Sequence, residues 1–299
     1  MQSSIASKFE KLKVWSASGT RAPHKPLLVL LALGFFTQGK EVLRFVEVEK
    51  VLADLLREFG PSRQSLHPEY PFWRLQNDGV WKVETTRPLA RRQSNSDPLK
   101  SELRAVNAEG HFTSDIIKSF HRDRSGILDV ARELLTAHFP ITLHEDILNA
   151  VGLSIDDQPS THLIRDRTFR SKVLTAYRFR CAVCGMDLRI GNVTIAIEAA
   201  HIMWHQAGGP SMESNGIALC SLHHKLFDLG AIAISPDYQV LVSDLVHGGE
   251  GFEETLMRHH GARIETPMHR EHRPSADFLG WHRKEVFKGV PRPPTALAD

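Results

Sequence analysis

The chain has 299 residues, 41% of them hydrophobic and 24% charged, and carries a formal net charge of +2. Such a composition excludes a disordered or low-complexity chain, and the length exceeds what one ordinary core supports, so two domains are expected. The charge balance neither demands nor excludes a polyanionic partner, and the longest apolar run, from Pro26 to Phe36, is too short to span a bilayer, so no membrane segment is expected.

The first half reads as mainly helical. Pro26 suits the first turn of a helix through LLVLLALGFF, which is apolar on every side and therefore internal. Val48, Val51, Leu52, Leu55, Leu56 and Phe59 follow the helical period until Gly60-Pro61 stops them. Phe72–Leu75 and Val80–Val83 flank Asn77-Asp78-Gly79, a pattern that predicts a short β-hairpin. Asp97-Pro98 reads as a cap and first position opening another helix, with Leu99, Leu103 and Val106 on one face. Helical patterns resume over Ser114–His121 and Ile127–His138.

The acidic, Pro-containing stretch GLSIDDQPS reads as a linker. The expected organisation is a first domain over 1–151, a linker over 152–162, a second domain over 163–290 and a frayed tail over 291–299. The second domain opens with a basic helix from Arg165 to Arg180 that carries Arg167, Arg170, Lys172 and Arg178. Short strands follow over Val193–Ala199, Ala231–Ser235 and Tyr238–Val242, and a last helix lies around Ala276–Phe287. The basic runs here and at Arg87, Arg91 and Arg92 suit a solvated face as well as a polyanion.

Cysteine usage is informative. With three in all, two of them as Cys181-x-x-Cys184, a disulfide framework is disfavoured and thiolates on a metal are the better reading. Cys220-x-x-His223 supplies a second pair and completes a tetrahedral Cys₃His set for a structural Zn²⁺. The N-terminal MQSSIASKFEKLKVW has no apolar signal core, so a reducing, cytoplasmic location is the expectation.

The two half-sites bracket a second constellation. Hydrolysis of a phosphodiester needs a base for water, a cation for the crowded phosphate oxygens, and something that aligns the base. His201, after the strand-like IAIEAA, is the candidate base, because an imidazole titrates near neutrality. Asn215 lies in the following loop, where its amide can hold the strand–loop geometry and keep the imidazole oriented. His224 and Asp228, one helical turn apart, project from one face as a pair of metal ligands.

EAAHI, then Asn215, then HHKLFD resembles the His–Asn–His pattern of the HNH or ββα-metal nucleases. The resemblance implies His201 as base, Asn215 as orienting residue and His224 as ligand. Asp228 stands where many members carry a second histidine, and Ala200 stands where many carry a ligand just before the base. Glu198 is the candidate for the missing third ligand. One imidazole with oxygen ligands favours Mg²⁺ or Mn²⁺ over Zn²⁺ as the working ion.

In the first domain, Arg21-Ala-Pro-His-Lys-Pro26 places cations at a helix start, where free amides favour an anion such as phosphate. Tyr70-Pro-Phe-Trp-Arg74 places aromatic and proline rings beside an arginine. Together they predict a phosphate-binding patch with an apolar element. RAPHKPLLVLLALG and YPFWRLQNDGVW resemble the sulfur-binding domain that precedes the HNH module in phosphorothioate-dependent, McrA-like restriction endonucleases. The resemblance covers about residues 8–150 and implies that Tyr70 and Pro71 form an apolar cup for sulfur. It places His24, Lys25 and Arg74 near the phosphate and makes Arg91 or Arg92 a loop contact. Thiophosphate sulfur is weakly hydrated, so it fits a cup in which an oxygen would lose water without compensation.

The resulting expectation is an α+β protein: a mainly helical sulfur-binding domain with a small hairpin, then a zinc-stabilised ββα-metal nuclease domain. Its partner would be double-stranded, phosphorothioated DNA. A double-strand break needs two active sites or two events, and a homodimer is one arrangement that meets this. Two other readings compete: an HNH nuclease that reads another mark such as methylated cytosine, and a non-catalytic, zinc-stabilised DNA-binding protein.

Overall fold

The structure is a computed structural model that describes residues 5–13, 22–61, 63–93, 95–153, 167–191 and 193–293. Arg21, Arg165, most of the expected linker and residues 294–299 of the expected tail lie outside the described residues. The chain divides into two compact units, Met1–Ala17 with Arg21–Gln158, and Ser18–Thr20 with Pro159–Asp299.

The first unit is built around the helix His24–Thr37, whose residues from Pro26 to Gly34 are all buried. Uniform hydrophobicity puts a helix at the centre because no face of it can meet water cheaply. Against it pack the helices Phe45–Phe59, Ser125–His138 and His144–Val151, each with a narrower apolar stripe. In Phe45–Phe59 that stripe is Phe45, Val48, Leu52, Leu55, Leu56 and Phe59, and each such burial contributes about 1.5–3 kcal/mol. A three-stranded antiparallel sheet closes the unit, with Glu109–Phe112 between Leu43–Arg44 and Trp81–Glu84. Edge-to-face contacts knit sheet to helices: Phe45 to Phe72 at 5.1 Å, Phe72 to Trp81 at 5.9 Å and Trp81 to Phe112 at 5.6 Å.

Two expectations are corrected here. The hairpin is absent: Glu69–Arg74 is an α-helix, continued by a 3₁₀ turn over Leu75–Asp78. Phe72 and Leu75, three apart, are buried together on the inner side of that turn. Gly79 then takes φ +74°, a left-handed conformation that releases the chain into the strand Trp81–Glu84. That strand pairs with Glu109–Phe112, Trp81 opposite Phe112, so its partner is remote in sequence. Asp97 is not a helix cap: the helix runs Lys100–Ala105 from an extended Leu99, and the Asp97 carboxylate accepts from Arg74 Nε at 2.8 Å.

Among its described residues the second unit has three two-stranded antiparallel sheets: Arg189–Ile190 with Val193–Thr194, Ile197–His201 with Gly216–Cys220, and Ile232–Ile234 with Val240–Val242. The strand expected over Val193–Ala199 is thus split, and Ala196 with φ +54° marks the break. The basic helix is shorter than expected, Arg167–Ala176, because Arg178 and Phe179 both take positive φ. That helix and Ser221–Asp228 both pack on the central strand pair. Phe169, Val173, Leu174, Ile197, Ile217, Leu219 and Phe227 form the shared core. The last helix, Ala276–Glu285, is capped by Ser275, whose side chain accepts from Asp277 N, and lies against Ile232–Ile234. Among the described residues no helix is long and apolar enough to cross a membrane.

Candidate functional site

The central strand pair of the second unit carries the nuclease candidates. His201 ends the first strand opposite Gly216, and Glu198 lies opposite Leu219. Asn215, fully buried, sits just before the second strand. Its Oδ1 accepts from Met203 N at 2.8 Å, and Nδ2 donates to Met203 O at 3.0 Å and Pro210 O at 2.9 Å. Both amide hydrogens therefore hold the loop after His201. The His201 ring stacks on Phe169, with centroids 3.9 Å apart and 14° between planes, and its Nε2 lies 3.3 Å from Ser211 Oγ.

His224 lies between two carboxylates. Its Nδ1 is 2.6 Å from Glu198 Oε2, and its Nε2 is 3.2 Å from Asp228 Oδ2. Burial pulls the imidazole toward neutrality, but Asp228 and then Glu198 outweigh it and raise the pKa to about 9. Two carboxylates against one imidazole make a net acidic site that favours a cation. Period-two geometry puts Glu198 on the same strand face as Ala200, so a carboxylate reaches the site from two residues before the position where the HNH pattern has a ligand. Glu198 and Asp228 occupy opposite ring nitrogens. An ion on Nε2 would share Asp228, while Glu198 would orient the ring from Nδ1, the usual arrangement for a ligating histidine.

The adjacent His223 faces another centre. Cys181, Cys184, Cys220 and His223 bring one donor atom each within 4.8 Å of one another, the one such group among the described residues. His223 Nδ1 lies 3.1 Å from Cys220 Sγ and 3.6 Å from Cys181 Sγ, and Cys184 Sγ is 4.0 Å from Cys220 Sγ. Those separations are the edges expected of a tetrahedron with Zn–S near 2.3 Å and Zn–N near 2.0 Å, so the donor set fits a zinc ion. The far nitrogen of His223 is 3.3 Å from Thr255 O, which fixes the ring with Nδ1 inward. Ala182 N donates to Ala218 O at 2.8 Å and ties this knuckle to the strand that leads into Ser221–Asp228.

In the first unit three of the candidate cations, Lys25, Arg74 and Arg92, are tied to acids. Lys25 pairs with Asp78, whose side chain is 1% exposed, and Asp78 also accepts from Lys13 N at 2.9 Å. Arg74 is held by Asp97, and Arg92 by Glu69 at 3.0 Å. Tyr70, half-buried, is the hub: the Arg74 and Arg92 guanidiniums lie 4.5 Å and 4.9 Å from its ring centroid, and Arg92 also donates to its hydroxyl. His67 stacks on it at 4.7 Å. Pro71 is buried in the same helix. Arg91 is set apart, 5.7 Å from the Trp73 ring. Burial, aided by Arg63, His67 and Arg74, pushes His24 down to about 4 and keeps it neutral at pH 7. Glu69 and His67 were not singled out from sequence. The signal was an acid buried inside an otherwise aromatic and proline-rich run.

Fold and sites define a two-module protein: a helical unit with cations gathered round one tyrosine, and a ββα unit beside a Cys₃His group. A sequence model described as the ScoMcrA-like DNA sulfur-binding domain matches residues 2–156, more than half of the chain, and the chain belongs to that family. An HNH endonuclease model matches residues 181–235. Among solved structures, the sulfur-binding domain of ScoMcrA complexed with phosphorothioated DNA is 21% identical, with a TM-score of 0.44, covering 50% of this chain and 96% of that one. The type IV phosphorothioation-dependent restriction endonuclease ScoMcrA is 20% identical with a TM-score of 0.41, over 51% of this chain but 28% of its own length. The modification-dependent TagI restriction endonuclease is 25% identical with a TM-score of 0.31, over 48% of this chain and 44% of that one. No curated protein matches.

Proposed function

We propose that this chain is a modification-dependent restriction endonuclease that docks on phosphorothioated DNA through its first domain and hydrolyses nearby phosphodiesters at its HNH site. The observation that carries the reading is the presence, in one chain, of a sulfur-binding family domain and an HNH domain whose His224 is flanked by two carboxylates. In the first domain, the Tyr70 ring offers the polarizable surface suited to sulfur. Arg74 and Arg92, already held in place by Asp97 and Glu69, meet the phosphate without much further ordering. His24 is neutral at pH 7 and contributes hydrogen bonding, and Lys25 contributes charge.

In the second domain, His201 takes the proton from the attacking water and Asn215 fixes the loop behind it. His224 and Asp228 would hold the divalent cation, Mg²⁺ or Mn²⁺, and Glu198, expected from sequence as a third ligand, would instead orient the His224 ring from Nδ1. When bound, that ion stabilises charge on the phosphate oxygens. Cys181, Cys184, Cys220 and His223 hold a structural Zn²⁺, and a cytoplasmic setting keeps the thiols reduced. Domain limits of 1–151 and 163–290 fit this division of labour, and a homodimer would place two nuclease sites on one target.

A mobility-shift comparison of phosphorothioated and plain duplexes of one sequence tests the recognition step. The expected result is at least about tenfold tighter binding of the modified duplex, near 1.4 kcal/mol. Equal affinity would refute sulfur recognition while leaving the nuclease assignment standing.

A further inference from the structure

The site residues leave one strong contact unexplained, the face-to-face stacking of His201 on Phe169. Phe169 lies on the helix Arg167–Ala176, outside the segment matched by the HNH model, and is 4% exposed. Its ring sits 3.9 Å from the imidazole, nearly parallel at 14°. Such stacking is possible because of the residue across the strand pair. Gly216 is directly opposite His201, so both positions face the same side of the sheet. A Cβ at Gly216 would lie 2.3 Å from Val173 Cγ2 and 3.1 Å from two Phe169 ring carbons. The missing side chain therefore leaves the space across which Phe169 lies, and an aromatic ring filling the place of a cross-strand glycine is a known way to stiffen a sheet.

We infer that Phe169 and Gly216 form a seat that fixes the plane of the His201 imidazole, making Phe169 a positioning residue for the base. The inference rests on the reading of His201 as that base. The contacts on the ring include Phe169 on one face, the His205 ring edge-on at 6.0 Å, Ser211 Oγ at Nε2, and the loop pinned by Asn215. Of these, Phe169 is the contact that lies parallel against a whole face of the ring and so opposes its tilting out of plane. Misplacing a catalytic group by about 1 Å can cost about 100-fold in rate, which sets the scale of the effect.

The test uses the full chain with Mn²⁺ and a phosphorothioated duplex. Phe169→Leu should lower the single-turnover cleavage rate by about 10- to 100-fold with unchanged duplex affinity and zinc content. Phe169→Tyr, which keeps a ring, should stay near the wild-type rate, and Gly216→Ala should fall with Phe169→Leu. In a His201→Ala background, Phe169→Leu should cause no further loss. A readout independent of activity is the His201 ring proton resonance, shifted upfield by the Phe169 face in the wild type and in Phe169→Tyr, and returned toward the open value in Phe169→Leu. Should the leucine variant fail to retain zinc, Phe169→Met carries the same comparison. A wild-type rate and unmoved resonance in Phe169→Leu or Phe169→Met would overturn the seat, as would an equal loss with and without His201. Failure of the base reading looks different: His201→Ala itself would then cleave at the wild-type rate.

Discussion

The two units hold charge in opposite ways. In the first, three of the candidate cations are neutralised by an internal carboxylate: Lys25 by Asp78, Arg74 by Asp97, Arg92 by Glu69. In the second, electron-rich groups gather toward a cation: three sulfurs round His223, and two carboxylates round His224. The first unit also has a central helix buried from Pro26 to Gly34 and a set of aromatic contacts, whereas the second rests on paired strands with no wider sheet among the described residues. The contrast separates two routes to order. The first unit pairs its cations internally beside a large apolar core, and the second adds to its own core a donor set suited to a metal ion.

The sharpest way to break that comparison is to remove the structural metal. Cys184→Ser or chelation should unfold the second unit and leave the first folded, because binding free energies at structural zinc sites are on the order of 10 kcal/mol. Zinc analysis with limited proteolysis reads this directly, and equal protection of both halves after zinc loss would contradict it. Next in size is the buried pair of the first unit. Asp78→Ala strands Lys25, whose side chain is only 14% exposed, and should destabilise that unit by about 3 kcal/mol, read as a fall in its denaturant midpoint with the second unit unaffected. Tyr70→Ala should then reduce the preference for modified over plain duplex by about tenfold, or 1.4 kcal/mol, while leaving the salt dependence of plain-duplex binding unchanged, since no phosphate cation is removed.

A further effect is in pH. The folded first unit holds the His24 pKa at about 4, below the ordinary value of 6.5. Between those values the unfolded chain binds the extra proton, so stability falls as pH drops from 6.5 and levels off below 4. His24→Gln should remove that part of the slope, and an unchanged pH profile of stability in the variant would show that His24 is not its source.

Periodicity made the long helices legible. The uniformly apolar run at Pro26 and the amphipathic stripe beginning at Phe45 both lie where burial puts them. The motif residues of the second half were also legible as a set, because Glu198, Asn215, His223, His224 and Asp228 sit in one short segment joined by local strand pairing. What failed was non-local. The strand Trp81–Glu84 finds its partner at Glu109–Phe112, so the turn-like Asn77-Asp78-Gly79 ends a helix instead of joining a hairpin. Asp97 looked like a cap because Pro follows it, yet an arginine from a distant turn takes its carboxylate. Phe169 gave no signal at all, since its role depends on the emptiness at Gly216 across a strand pair. Pairing across tens of residues leaves no period in the chain, and tertiary contacts decide it.

The most direct measurement is digestion of one plasmid, prepared with and without phosphorothioation, by the intact protein and by His201→Ala in the presence of Mn²⁺. The wild type should cut the modified plasmid alone, and His201→Ala should cut it about a thousandfold more slowly while binding it as tightly. Equal cutting of both plasmids, or undiminished cutting by folded His201→Ala, would contradict the account.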